Sequence, residues 1–343
     1  MRRRALSSSI KTGPKIELQN YLTFEALADN FAVSLSANNI EYCIDGDGNW
    51  KALAKATKTP YVGKGHLISI RAALRNENIG TNTGCGTFSA TSDFALSGDP
   101  LSLFFRDTTF SEKTFPLRGM YKLFENATSL IEAHGLIMPQ SISGNGCANM
   151  FNGCSNLKSA PALPALELSS SAYLNMFKGC TALDEAPVLP ATTVFDQCYS
   201  GMFYGCTSLK TAPELPATAV KNGSYKEMFK NCTALINAPE LPATTLDNHC
   251  YNGMFYGCTN LQTAPELLAT VVYVYGYYNM FYGCKNIKYI KAMLIDNSPT
   301  NCLTDWVKGV SSSGTFVKNA AATWDVTGTS GVPSGWTVET ATE

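Results

Sequence analysis

The sequence predicts a solenoid with one short parallel strand and one helical turn per 26 residues, preceded by a small all-β domain. Three observations predict it. Met-Phe pairs stand at 150/151, 176/177, 202/203, 228/229, 254/255 and 280/281, each 26 residues from the last. A cysteine follows every Phe by three residues, and an aliphatic residue follows three later, from Leu157 to Ile287. Upstream of about residue 100 the repeat is absent, and short apolar segments alternate with Gly, Asp and Asn clusters. Columns that agree over six units without a gap are a specific mark of a repeat architecture.

Composition narrows the function. Hydrophobic residues make up 45% of the 343 and charged residues 15%, which suits a packed core rather than disorder. The balance of 26 basic against 27 acidic residues argues against a nucleic-acid partner, which requires a basic surface. Three histidines leave little for imidazole metal sites or general-base chemistry. His66, His134 and His249 have no triad-like setting. No run of 18 apolar residues occurs, so no membrane-spanning helix is expected.

Taken in order, residues 1–14 form a basic arm opening Met-Arg-Arg-Arg, and the stretch 5–11 is too short and polar for an export signal. Residues 15–97 read as a β-sandwich-like domain of immunoglobulin type, from strand candidates near 21–24, 31–35, 40–44, 66–70 and 94–96. Within it Asp45-Gly46-Asp47-Gly48-Asn49 matches the start of a calcium loop. Trp50 and Ala56 stand where that loop needs Gly and Glu, so a hairpin turn is expected. Residues 98–117 connect to the solenoid at 118–318, about eight coils, and 319–343 close it. Leu123-Phe124 begins the array one residue out of step, and Trp306-Val307 continues it weakly, as terminal repeats do.

Each unit is read from its spacing. The Pro-containing segment Leu-x-x-Ala-Pro-x-Leu suits a short, partly paired strand. In Tyr-x-x-Met-Phe-x-x-Cys the apolar groups fall at i, i+3, i+4 and i+7, one face of a helix, with Gly at its end. One strand and one helical turn at this period is the leucine-rich-repeat arrangement.

The core columns are Phe151, Phe177, Phe203, Phe229, Phe255 and Phe281, with Cys154, Cys180, Cys206, Cys232, Cys258 and Cys284. Those cysteines are expected as a buried ladder of reduced thiols, since neighbours in one column point in parallel. Cys206→Ser is then expected to cost about 1–3 kcal/mol through an unpaired buried hydroxyl. Glu214, Glu240 and Glu266 share one strand column, as a solvated face or an acidic binding strip. Tyr204, Tyr256 and Tyr282 follow the Met-Phe pairs, with Tyr273, Tyr275 and Tyr278 nearby. Their alternatives are packing over a neighbouring coil or contact with a sugar or protein. No catalytic residue, cofactor or metal site is expected.

The unit Met-Phe-x-Gly-Cys-Thr-x-Leu-x-x-Ala-Pro-x-Leu-Pro-Ala-Thr resembles the repeat of BspA-like leucine-rich-repeat proteins of Bacteroides, related gut bacteria and their phages. The ending from Gly314-Thr315-Phe316-Val317 through Pro333-Ser334-Gly335-Trp336-Thr337-Val338 resembles the tail of such arrays. The resemblance implies surface display, adhesion and ligand binding without enzyme activity. The expected function is non-enzymatic recognition or a structural role outside the cell. A phage virion component (tail or fibre) is favoured because it needs no export signal. A bacterial surface adhesin and an intracellular protein-binding scaffold are the alternatives. The expected partner is a protein or glycan on a host or cell surface, with other virion proteins met through the N-terminal domain.

Overall fold

The computed structural model describes residues 21–73, 86–104 and 118–342. The arm at 1–14 and most of the connecting segment lie outside the described residues.

The N-terminal segment is built from β1 (Leu22–Ala26), β2 (Val33–Leu35), β3 (Ile40–Ile44), β4 (Lys51–Leu53), β5 (Leu67–Ala72), β6 (Phe88–Ala90) and β7 (Phe94–Gly98). Alternation drives the packing: in β1, Leu22, Phe24 and Ala26 are buried while Glu25 is exposed. The strands do not divide evenly into two facing layers. One six-stranded sheet runs β4-β3-β5-β1-β7-β8, and β2 pairs with β6 apart from it. The last strand, β8 (Leu130–Leu136), belongs to the first coil and pairs with β7 in parallel, so the sheet continues into the solenoid. Aromatic packing continues with it: Phe88 stacks on Phe124 at 5.6 Å, and Phe124 on Phe151 at 5.6 Å.

From there the coils stack at 26-residue spacing. Phe151, Phe177, Phe203, Phe229, Phe255 and Phe281 form one continuous ladder with ring centroids 5.5–5.8 Å apart. Tyr173, Tyr199, Tyr225, Tyr251 and Tyr277 form a second ladder beside it, at 5.7–6.0 Å. Both columns are buried.

The expected helical turns are absent among the described residues, and the reason lies in backbone conformation. Three residues per coil, four apart, hold positive φ. In one coil they are Ser171, Asn175 and Gly179, and in the next Gln197, Gly201 and Gly205. Each such residue breaks an α-helix, so the segment becomes a ribbon of chained β-turns. Alternate amides bond within the ribbon, as Met176 N does to Tyr173 O at 3.1 Å. The amides between them donate to the following coil, as Phe177 N does to Met202 O at 2.9 Å. Among the described residues eight such ribbons occur: 118–126, 145–153, 171–179, 197–205, 223–231, 249–257, 275–283 and 301–309. Burial follows a period of four: Ala172 and Tyr173 face inward, Leu174 and Asn175 outward, Met176 and Phe177 inward, Lys178 and Gly179 outward.

On the opposite side the strands shrink to isolated parallel bridges, Glu185 to Thr211, Thr211 to Asn237 and Asn237 to Thr263. Proline in each Ala-Pro-x-Leu segment withholds the amide that a longer ladder needs. Near the start of the array β9 (Ser141–Ile142) and β10 (Glu167–Leu168) form a two-residue parallel pair. At its end β11 (Tyr289–Ala292), β12 (Thr315–Lys318) and β13 (Thr337–Thr340) form a parallel three-stranded sheet. The segment after 318, expected as a cap, thus contributes a strand to the stack.

Candidate recognition surface

The ribbon positions that face outward are free of core duty, and one column of them is Asn152, Lys178, Tyr204, Lys230, Tyr256, Tyr282 and Lys308. The sequence singles out Tyr204, Tyr256 and Tyr282; the structure sets lysines among them. Lys178 Nζ lies 4.7 Å from the Tyr204 ring centre and Lys230 Nζ 5.3 Å from it. Lys230 also reaches the Tyr256 ring, at 4.9 Å. Tyr256 stacks on Tyr282 at 4.5 Å and 7°, and Lys308 lies 5.4 Å beyond. This is a ladder of cation–π and aromatic contacts. The column's repeat spacing is legible in the sequence; the place of the lysines against its rings is not.

Two of those cations carry their own counter-ions. Lys230 donates to Glu227 at 2.7 Å, and Lys308 to Asp305 at 3.1 Å, each pair within one turn of the ribbon. Packing within the ladder occupies the faces of Tyr204, so ring edges, hydroxyls and ammonium groups are what this column offers to solvent.

A second group forms on the same side. His249 stacks on Tyr275 at 4.9 Å and 7°, and Tyr278 meets Tyr275 edge to face at 5.3 Å and 63°. Asn301 Nδ2 donates to the Tyr275 hydroxyl at 2.9 Å. Tyr273 is 47% exposed. Burial and nearby Lys226 push the His249 pKa below its ordinary value, which keeps the ring neutral at pH 7.

Glu214, Glu240 and Glu266 are exposed on the strand side, in shallow grooves between coils walled by prolines. The groove with Pro213, Pro216, Glu214 and Glu240 encloses ≈ 380 Å³, and that with Pro239, Pro265, Glu240 and Glu266 ≈ 490 Å³. Lys291 Nζ pairs with Glu266 at 2.9 Å, so the acidic column is neutralised at one end. It lies away from the tyrosine ladder, and the two form no common site.

The cysteine column has a structural explanation. Each thiol donates to the Phe carbonyl of the preceding coil: Cys180 to Phe151 O at 3.2 Å, Cys206 to Phe177 O at 3.1 Å, Cys232 to Phe203 O at 3.0 Å. A small, weak donor fits a place where the carbonyl already accepts an amide from its own coil. All eleven described cysteines are free and buried. Burial pushes the Cys154 and Cys258 thiols up to about 12 and the rest of the column upward as well. An acceptor therefore awaits a hydroxyl at position 206, and the expected cost of an unpaired group there is removed.

In the N-terminal segment Asp47 Oδ1 accepts from Asn49 N at 2.9 Å and from the Cys43 thiol at 3.2 Å, as a turn residue does. His66 Nδ1 meets Asp45 Oδ2 at 2.7 Å on the surface.

No family model matches the chain, and no curated protein sequence does. Among solved structures the chain is similar to the crystal structure of a leucine-rich repeat protein from Bacteroides ovatus. That likeness has 16% identity, covers 60% of this chain and 67% of the other, and has a TM-score of 0.25. So slight a likeness carries no weight, and the solenoid is established by the chain's own coil-to-coil hydrogen bonds.

Proposed function

We propose that the chain is a non-enzymatic recognition scaffold whose outward ribbon positions bind a protein or glycan on a host surface. We further propose display on a phage particle, as a tail or fibre component. The observation that supports recognition is the contrast between inward and outward columns. Inward places repeat Met, Phe and Cys in coil after coil, while the outward column beside them changes among Asn, Lys and Tyr. Packing accounts for the first set and leaves the second free to meet a ligand. The strongly shifted titratable groups support a non-catalytic reading: most are thiols and phenols sealed in the core, where no substrate reaches them.

Mass spectrometry of purified phage particles and of protease-shaved intact cells from the source culture tests the display. Peptides of this chain in particles are the expected result. Peptides from shaved cells alone make it a cell-surface adhesin, and peptides only in the lysate interior make it an intracellular scaffold.

A further inference from the structure

Charge is unevenly distributed along the outward ribbon face. The ribbon at 223–231 carries Lys226, Glu227 and Lys230, and that at 301–309 carries Asp305 and Lys308. Between them, the ribbons at 249–257 and 275–283 hold no Asp, Glu, Lys or Arg; those at 145–153 and 197–205 hold none either, but each of these stands between charged neighbours. Their outward places hold His249, Asn252 and Tyr256 in one coil and Tyr275, Tyr278 and Tyr282 in the next. The scaffold does not require these residues. Tyr275 stands where earlier coils have Gln197 and Gly223, and Tyr278 where they have Ser200 and Lys226.

The rings are held in place before any ligand arrives. His249 and Tyr275 stack, Asn301 fixes the Tyr275 hydroxyl, and Asn252 Nδ2 lies 3.4 Å from His249 Nδ1. Tyr278 stands across this stack at 63° to Tyr275, instead of being sandwiched along the ladder as Tyr204 is. A preorganised aromatic surface loses little conformational entropy on binding. Aromatic rings suit the C–H face of a sugar ring, while phenol, amide and imidazole groups suit its hydroxyls. The two ribbons carry no Lys or Arg of their own to recognise an acidic polymer.

We propose that the adjacent uncharged ribbons at 249–257 and 275–283 form a binding site for a neutral oligosaccharide, with Tyr278 as the stacking ring. The site deepens the recognition reading and rests on it.

The test is calorimetric titration of the full chain with neutral hexasaccharides (cello-, xylo-, manno- and chito-series) and with an oligouronate as the charged control. At least one neutral hexasaccharide is expected to bind, with an affinity unchanged between low and high salt. Tyr278→Ala is expected to weaken it about tenfold or more, Tyr278→Phe to retain most of it, and Tyr61→Ala, at an exposed tyrosine of the N-terminal segment, to leave it unchanged. The proposal is overturned if no neutral hexasaccharide binds, or if only the oligouronate binds. It is also overturned if Tyr61→Ala is as damaging as Tyr278→Ala, or if Tyr278 instead controls self-association in sedimentation. Such a failure, with the chain present on particles, leaves the display reading intact and removes only this ligand.

Discussion

Gly201 shows how tightly one position is constrained. Its φ is +61°, and a Cβ there would collide with Asn175 Oδ1 of the preceding coil. Gly201→Ala should therefore cost at least the left-handed penalty, roughly 1–2 kcal/mol, read as a lower urea midpoint. A gentler change is expected at Cys206. Its thiol donates to Phe177 O at 3.1 Å. Cys206→Ala should cost about 1–2 kcal/mol, and Cys206→Ser less, because the hydroxyl inherits the same acceptor. The buried thiols also set a pH dependence. Cys154 moves from an ordinary 9.0 to about 12, so above pH 9 the unfolded chain gives up protons that the folded chain keeps. This contribution is constant below pH 9, and stability falls as pH rises from there toward 12. In the native chain the column cysteines from Cys154 to Cys284 should resist iodoacetamide at pH 8.5 and take up label only on unfolding, which mass spectrometry can count.

The ribbon is the element on which the sequence was most misleading. Tyr173, Met176, Phe177 and Cys180 fit i, i+3, i+4, i+7, but over eight residues a period of four gives the same set as a period of 3.6. The discriminating signal was the outward pair, not the inward one. Asn149 with Gly153, Asn175 with Gly179, and Gly201 with Gly205 place residues that tolerate positive φ four apart. One such Gly reads as a helix end; a series of them reads as a chain of turns. What the inward columns could show, they did: the 26-residue period, the Phe ladder and the aliphatic column are direct consequences of burial. The lysines between tyrosines were harder to see because a cation–π ladder depends on which outward residues become neighbours across coils. Circular dichroism should accordingly show a weak 222 nm band. A strong helical band would contradict the turn ribbons.

At the scale of the whole molecule, the two ends of the stack are closed differently. The N-terminal sheet runs into the first coil through β7 and β8, and Phe88 and Phe124 extend the Phe ladder toward it. At the other end Trp306 joins the ladders, lying 6.4 Å from Tyr277 and 6.2 Å from Phe281, and stacks in turn on Trp324 at 5.8 Å, while its indole N–H donates to Gly331 O at 2.9 Å. Trp336 donates to Ser311 O at 2.8 Å and ties β13 to the coil before it. Between these closures, packing fixes the inward face and leaves the outward face available for recognition. That division is the central claim, and the melting temperatures of two tyrosine variants test it most directly. Tyr251 is 2% exposed and stacks at 6.0 Å on Tyr225 and on Tyr277. Tyr251→Ala should cost about 3–5 kcal/mol, at roughly 2–4 °C of melting temperature per kcal/mol. Tyr278→Ala should leave the melting temperature within about 1–2 °C of the parent, the range of a surface substitution. Equal losses in the two variants would mean that the outward tyrosines also hold the coil together, and would contradict the division.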